Sequence, residues 1–547
     1  MSFLVELRAG RFRWDLVDPF PVQSTEDSKR GTAALTDLRA LLTARVDADA
    51  VEASSELPAG LVEDLHAHRF LALTVSNMDG GLDLSPLNAF RVLEEAARYC
   101  VPVGLVLSWH NMLGMGAYLP ALPPGRLRDL LTERLAQGAV FGVADTEPGR
   151  AAADPRRQTV AVPTADGGGY LLTGEKCFIG NGSIADLLAV SATVRDDGRE
   201  RIDLFLVDTH RDGFSVTTEH GFMGLRGSPN AALRLDEVYV PADHVLVAID
   251  GGWRASPVVA RINARARMNI TVAPSLAMAK ACLDWSREFL ARRYVDGRPL
   301  TDYDAVQRRL ATSLADVFAV DSVVEWCLLG EHGEAEYMAA KNIGTVTCWR
   351  VIDRTMSLFG AEGFESAASK ARRGMRALPV ERALRDIRGM LIAGGVDFNI
   401  DMRAGWRGIL SPYYSGQVGA APDPPAELSP TAPAAARFLR DQVADFAARC
   451  RKLTHTHPAD DLRQRQEVHI TLSRLADELF TMSLVVARAA ALDTAHAQHL
   501  AGMYLAGARG RIASLWRALD RVDEVDHARV CRAWLAGDLE PMVPIRW

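Results

Sequence analysis

No two of the seven cysteines (100, 177, 282, 327, 348, 450 and 531) are spaced as a Cys-x-x-Cys pair. That scatter excludes a zinc ribbon and a disulfide-stapled secreted scaffold, and it fits a reducing compartment. The chain also lacks any run of about 18 apolar residues, so no membrane span is expected. Its start, MSFLVELRAGRFRWDLVDPF, has scattered charges and no apolar stretch followed by a small-residue cleavage site. A cytoplasmic location is the resulting expectation. Basic charge is not in excess either: 62 Lys and Arg face 69 Asp and Glu, a net charge of −7. Nucleic acid is therefore not an expected partner, since such binding leaves a basic footprint. Neither a Gly-x-Gly-x-x-Gly following a strand nor a P-loop is present, which excludes a Rossmann-type nucleotide fold. The spacing of His455, His457 and His469 fits no standard zinc site, so no metal is expected.

What is present is 547 residues, 48% hydrophobic and 24% charged, too long for a single core. The hydrophobic period changes along the chain. Val62, Leu65, His66 and Phe70, and then Val92, Glu95, Ala96 and Tyr99, recur at helical spacing. Short apolar runs follow at 170–174, 204–207, 233–235 and 238–240, separated by Gly, Asp, Asn and Pro as strands are. Helical patterning returns from about residue 255. The stretch 411–435 is dense in Pro, Gly, Ser and Ala and reads as an extended linker. Beyond it Leu472, Leu475, Leu479, Met482 and Val486 form a helix face. The expected fold class is mainly α with a β-barrel middle domain. Its units are a helical N-terminal domain (1–139), the barrel (140–254), a helical C-terminal domain (255–410), the linker (411–435) and an additional helical bundle (436–547).

Four separated segments carry chemistry. They are VADTEP (143–148), GEKCFIGNG (174–182), MGLRGS (223–228) with DEVYVP (236–241), and LFGAEGF (358–364) with PVERALRD (379–386). In this order and at these separations they resemble the acyl-CoA dehydrogenase family, over about residues 57–404. The extra helices resemble its very-long-chain branch. The resemblance implies a helical domain, a β-barrel and a four-helix domain. It also implies FAD as cofactor and an acyl thioester, on coenzyme A or a carrier protein, as substrate. In the family reaction a carboxylate removes the α-proton while the β-hydride moves to the flavin.

Carried over residue by residue, the resemblance puts Asp145 and Thr146 along the flavin ring. Phe178 stands where relatives have a stacking Trp, and Gly180 where they have a Thr near the ring. Arg293, in RYVDG (293–297), matches the Arg that binds the pyrophosphate of a neighbouring subunit's cofactor. Ser357 takes the place of a Gln that reaches that cofactor, and Gly360 begins the accompanying Gly pair, whose second member is Ala361. His110 resembles a position on the acyl cavity, with a core histidine as the equal alternative. Arg267 either approaches the pantetheine or pairs with a carboxylate.

The general base is missing from this pattern. The family's catalytic Glu falls on Gly394, and the alternative position used by some relatives falls on Ala266. Neither side chain accepts a proton. Asp397 lies three residues further on, and a solvated or helix-terminal Asp is its plainer reading. The Ser that follows Thr-Glu-Pro in relatives is also absent from the stretch 149–154. The expected function is thus an acyl-CoA dehydrogenase-like flavoprotein with altered chemistry. The alternatives are a silent subunit beside an active homologue and a flavin-free, redox-neutral enzyme. Because the cofactor site is shared between subunits, a homodimer, or a hetero-oligomer with an active homologue, is implied.

Overall fold

The computed structural model describes residues 1–149, 156–196, 199–246, 257–418, 433–521 and 526–539. The linker's 419–432 and most of the stretch 149–154 lie outside the described residues, as does the expected domain boundary near 254.

Helices dominate the first part: Phe3–Arg8, Thr25–Arg45, Ala48–Ser54, Leu61–Ala67, Pro86–Tyr99, Val101–Ser108 and Arg126–Ala136. Local signals set their ends. The Ser24 and Ser85 hydroxyls accept the backbone N–H of Asp27 and Asn88, and Pro86 occupies the first turn behind Ser85. Helix Val101–Ser108 is apolar on every side and buried along its whole length. It runs straight into a single π-type turn, Trp109–Leu113.

Eight strands follow: β1 (Phe141–Ala144), β2 (Val160–Pro163), β3 (Gly169–Gly180), β4 (Leu187–Asp196), β5 (Arg199–Asp208), β6 (Phe214–Glu219), β7 (Asn230–Pro241) and β8 (Val245–Leu246). They form one sheet in the order β6-β7-β3-β2-β4-β5-β8, with β1 parallel to β4. Among the described residues no pairing joins β6 to β8. The runs 233–235 and 238–240, expected as two strands, belong to the single strand β7. It stays continuous because one of its edges pairs with β3 along most of its length.

The C-terminal helical domain is built on Pro257–Ala291, Asp304–Leu329, Glu334–Phe359 and Val380–Arg388. Residues 411–414, expected to open an extended linker, are instead the helical turn Ser411–Tyr414. It continues the helical run of 397–410 and is held by the Tyr413 hydroxyl on the Arg8 carbonyl at 3.0 Å. The additional helices Pro433–Thr456, Gln466–Leu492 and Ala495–Asp520 share one core with the rest of the chain. Helix Gln466–Leu492 is buried on nearly all sides rather than on one face, because it is wedged between the extra bundle and the body. Phe480 lies 5.5 Å edge-on from Trp326, and Arg488 and Arg474 reach Glu325 (2.8 Å) and Asp401 (2.9 Å). Among the described residues no helix is long and apolar enough to cross a membrane.

Candidate active site

The ring end of the site is made by an irregularity in β3. Its register against β7 shifts between Lys176 and Ile179, and such a bulge re-aims the side chains it carries. Phe178 there adopts φ 59°, a left-handed conformation costing about 1–2 kcal/mol for a residue with a Cβ. Its ring is turned outward, 59% exposed, and stacks on His220 with centroids 4.6 Å apart. The Cys177 N–H donates to the Thr146 carbonyl at 3.0 Å, fastening the 145–146 turn to the bulge.

Beneath this turn lies a buried ion pair. The Glu147 carboxylate accepts from the Gln158 N–H (2.6 Å), the Thr159 N–H (2.9 Å) and hydroxyl (2.6 Å), and the Lys176 ammonium (2.9 Å). Burial alone would raise its pKa, but these donors outweigh it and hold the group at about 2. Burial pulls Lys176 down to about 8, so both groups are charged at pH 7. Asp145 is also committed: it accepts from Arg157 (2.7 and 3.0 Å) and from the Ser191 hydroxyl (2.6 Å). Its carboxylate therefore shapes the turn, while the Thr146 hydroxyl makes no hydrogen bond among the described residues.

Gly180 has a specific reason to lack a side chain. A Cβ there would sit 2.4–2.7 Å from the indole of Trp109. The space a threonine would use is filled by a residue of the π-type turn, which the sequence reading did not single out.

The second group of expected cofactor residues lies on the C-terminal helical domain. Arg293 is half-exposed, and it and Arg292 face Glu362 at 3.5 and 3.0 Å. Ser357 and Gly360 are exposed beside them at the end of helix Glu334–Phe359. The platform is set by Phe359 stacked on Phe289 at 4.2 Å. Asp296 sits at the exposed tip of the adjoining two-stranded hairpin. No hydrogen bond or ion pair joins this group to the ring-end residues among the described residues.

Gly394 is exposed with φ 68°, and a Cβ added there would stand 3.3–3.7 Å from the side chain of Arg267. Arg267 makes no ion pair among the described residues; its aliphatic stem covers the glycine instead. The loop is held from below by Lys341, a fully buried residue whose ammonium donates to the carbonyls of Gly395 (2.8 Å) and Leu391 (3.2 Å). Burial lowers its pKa to about 8. It too was missed in the sequence, although a lysine directly after the apolar Met338–Ala340 was its signal. Asp397 opens helix Asp397–Arg403, where a carboxylate in the first turn is favoured by the helix dipole. Glu381 pairs with Arg385 at 2.8 Å.

Ala266 is buried and lines a narrow cleft, partly open to solvent, between helix Pro257–Ala291 and the N-terminal domain. Thr74, Pro86, Ala89, Asn111, Met112, Ala117, Ile262, Arg265 and Asn269 complete the lining. It contains no carboxylate, imidazole or amine. His110 stands just outside it with both ring nitrogens spent, on the Leu71 carbonyl (2.7 Å) and the Phe141 N–H (3.0 Å), which is the arrangement of a core histidine. Burial lowers its pKa to about 4. Because a folded-state value below the unfolded one of about 6.5 favours the neutral form, His110 contributes stability above pH 6.5 that is lost as pH falls toward 4. The loss expected from this group is about 3 kcal/mol. Denaturant unfolding between pH 7 and 4 should show it, with a shallower decline in His110→Asn. Among the described residues no cluster of three or more His, Cys, Asp or Glu could hold a metal.

Three family models match in chain order: the N-terminal, middle and C-terminal domains of acyl-CoA dehydrogenase, at residues 32–122, 142–238 and 257–402. The chain belongs to the acyl-CoA dehydrogenase family. A probable acyl-CoA dehydrogenase of Mycobacterium tuberculosis is 32% identical over 396 residues, 71% of this chain and 60% of that protein. The mitochondrial very long-chain specific acyl-CoA dehydrogenase of Bos taurus is 25% identical over 411 residues, 72% and 60% of the two chains. The chain thus spans about 60% of the length of these curated relatives. An acyl-CoA dehydrogenase complexed with FAD from Bacillus anthracis shares the fold at 18% identity, with a TM-score of 0.75 and coverage of 99% and 95%. Butyryl-CoA dehydrogenase from Megasphaera elsdenii does so at 22% identity, TM-score 0.62, covering 70% and 98%. The first of these structures extends over the additional helices as well, so this acyl-CoA dehydrogenase fold has a solved counterpart along nearly its whole length.

Proposed function

We propose that this family member binds an acyl thioester in the pocket beside Ala266 and FAD against the β3 bulge, and that its chemistry has departed from simple α,β-dehydrogenation. The observation that carries this reading is that Ala266 and Gly394, the two places where relatives hold a glutamate, have no side chain able to take up the α-proton, and that the cleft beside Ala266 is lined by no carboxylate, imidazole or amine.

The residues present fit FAD. Phe178 offers an exposed aromatic face, Thr146 an uncommitted hydroxyl, and Arg293 a half-exposed guanidinium suited to a pyrophosphate. FAD supplies a hydride acceptor. The chain itself would orient the thioester: the backbone N–H groups of Gly394 and Gly395 make no hydrogen bond among the described residues and suit a carbonyl oxygen. Lys341 keeps that loop in place, and the Arg267 stem packs against Gly394.

A yellow purified protein, or an apo-protein that takes up added FAD with the appearance of a flavin spectrum, tests the reading; protein that refuses FAD contradicts it. Arg293→Ala should weaken FAD binding roughly 10- to 100-fold, the scale of one charge-assisted phosphate contact. Flavin fluorescence titration reads this directly.

A second reading is favoured by one feature. Arg293, Ser357 and Gly360 are exposed together, as a group serving a neighbouring subunit's cofactor must be, whereas the chain's own ring site has glycine for threonine. This suits a silent subunit supporting an active homologue. Co-purification with a relative that retains the catalytic glutamate would select it over a homodimer.

A further inference from the structure

The backbone proposed to receive the thioester carbonyl has no side chain to anchor it. Gly394 and Gly395 are both exposed and both sit at positive φ, 68° and 113°. Glycine loses more conformational freedom on ordering than any other residue, so two in succession stay aimed only if the flanking chain is gripped from outside. On one side the grip is Lys341, on the Leu391 and Gly395 carbonyls. On the other it falls on helix Asp397–Arg403, which follows directly.

That helix is clasped through one carboxylate. Asp401 is buried, and its two oxygens are divided between two elements. Oδ1 accepts from the Asn342 amide at 2.8 Å, and the same amide nitrogen donates to the Asp397 carbonyl at 2.9 Å. Oδ2 accepts from the Arg474 guanidinium at 2.9 Å. Burial pushes the Asp401 carboxyl upward, and the Arg474 hydrogen bond is the largest influence opposing it. Lys341 and Asn342 are neighbours on helix Glu334–Phe359, whereas Arg474 comes from helix Gln466–Leu492 of the additional bundle. Among the described residues the salt bridge to Asp401 is thus supplied by the bundle.

We infer that Arg474 is a positioning residue: through Asp401 it makes the additional bundle hold the Gly394–Gly395 backbone in the shape that receives the thioester carbonyl. This rests on the acyl-thioester reading above and gives the bundle a part in that site. Without the guanidinium, Asp401 is a buried carboxylate lacking its cation. Such a group takes up a proton or draws in water, and either change loosens its hold on Asn342.

The test is hydrogen–deuterium exchange of the full chain, read by mass spectrometry at the peptide 391–403, together with thioester titration of the FAD-treated protein. The Ile392, Ala393, Asn399 and Ile400 amides of that peptide are hydrogen-bonded, so their exchange reports its opening. Arg474→Met, at a side chain 48% exposed, is expected to speed exchange there by about fivefold or more, with β3 peptides as in the wild type. It should weaken binding of hexanoyl-CoA or palmitoyl-CoA, whichever binds the wild type more tightly, by about three- to tenfold, with FAD affinity unchanged. Arg474→Lys should restore most of both. Arg511→Met is the control: it breaks the 2.6 Å pair with Glu478 inside the same bundle and should alter neither readout. Unchanged exchange in Arg474→Met, faster exchange without loss of thioester affinity, or acceleration shared with β3 or with Arg511→Met overturns the inference and leaves the acyl-thioester reading standing. Failure of the wild type to bind either thioester overturns both.

Discussion

Ala266→Glu is expected to increase the rate at which a saturated acyl-CoA bleaches bound FAD by about 100- to 10,000-fold, the usual contribution of a positioned general base. Ala266 lies within a helix and lines the cleft proposed to take the acyl chain, so a glutamate there needs no unusual backbone conformation. Arg265 on the same lining would favour its ionised form. Gly394→Glu should gain less, by roughly tenfold, because φ 68° costs a residue with a Cβ about 1–2 kcal/mol and the Arg267 stem crowds the site. Stopped-flow absorbance of the reconstituted variants measures both. Bleaching no faster than in the wild type despite bound FAD and thioester would mean that the missing base is not what limits dehydrogenation.

Lys176→Met is the substitution expected to cost most in stability, about 3–5 kcal/mol, because it leaves the Glu147 carboxylate charged and buried beneath the 145–146 turn. Glu147→Gln combined with Lys176→Met should cost markedly less than Lys176→Met alone, since no lone charge remains. Urea unfolding curves of the single and double variants provide the comparison. A surface-like loss below about 1 kcal/mol would show that the pair is not the anchor of the 145–147 turn.

The order of helices, sheet and helices could be read from the chain because its hydrophobic period changes near residues 140 and 255. The four motif segments then pointed to the family that the domain models match. What the sequence could not show are the effects of folding across large separations. Gly180 reads as a lost threonine until Trp109, 71 residues earlier, is seen to fill the space. Arg293 reads as a phosphate ligand, yet Glu362 from the short helix Ala361–Phe364 faces it. Lys341 sits in a helix where a single buried lysine carries little periodic signal, and its role emerges only from the carbonyls of Gly395 and Leu391 that the folded chain sets beside it. The helix Gln466–Leu492 shows the same limit in packing: its stripe of leucines predicted one buried face, and two neighbouring layers bury nearly all of it.

Exchange of the α-hydrogens of a bound acyl-CoA is the most direct measure of whether a proton acceptor is in place. With FAD-treated wild-type protein in deuterated buffer, mass spectrometry of recovered hexanoyl-CoA should show deuterium at the α-carbon no faster than in buffer alone, and Ala266→Glu should introduce exchange. Rapid α-deuteration by the wild type would contradict the absence of a base and return this chain to ordinary dehydrogenation.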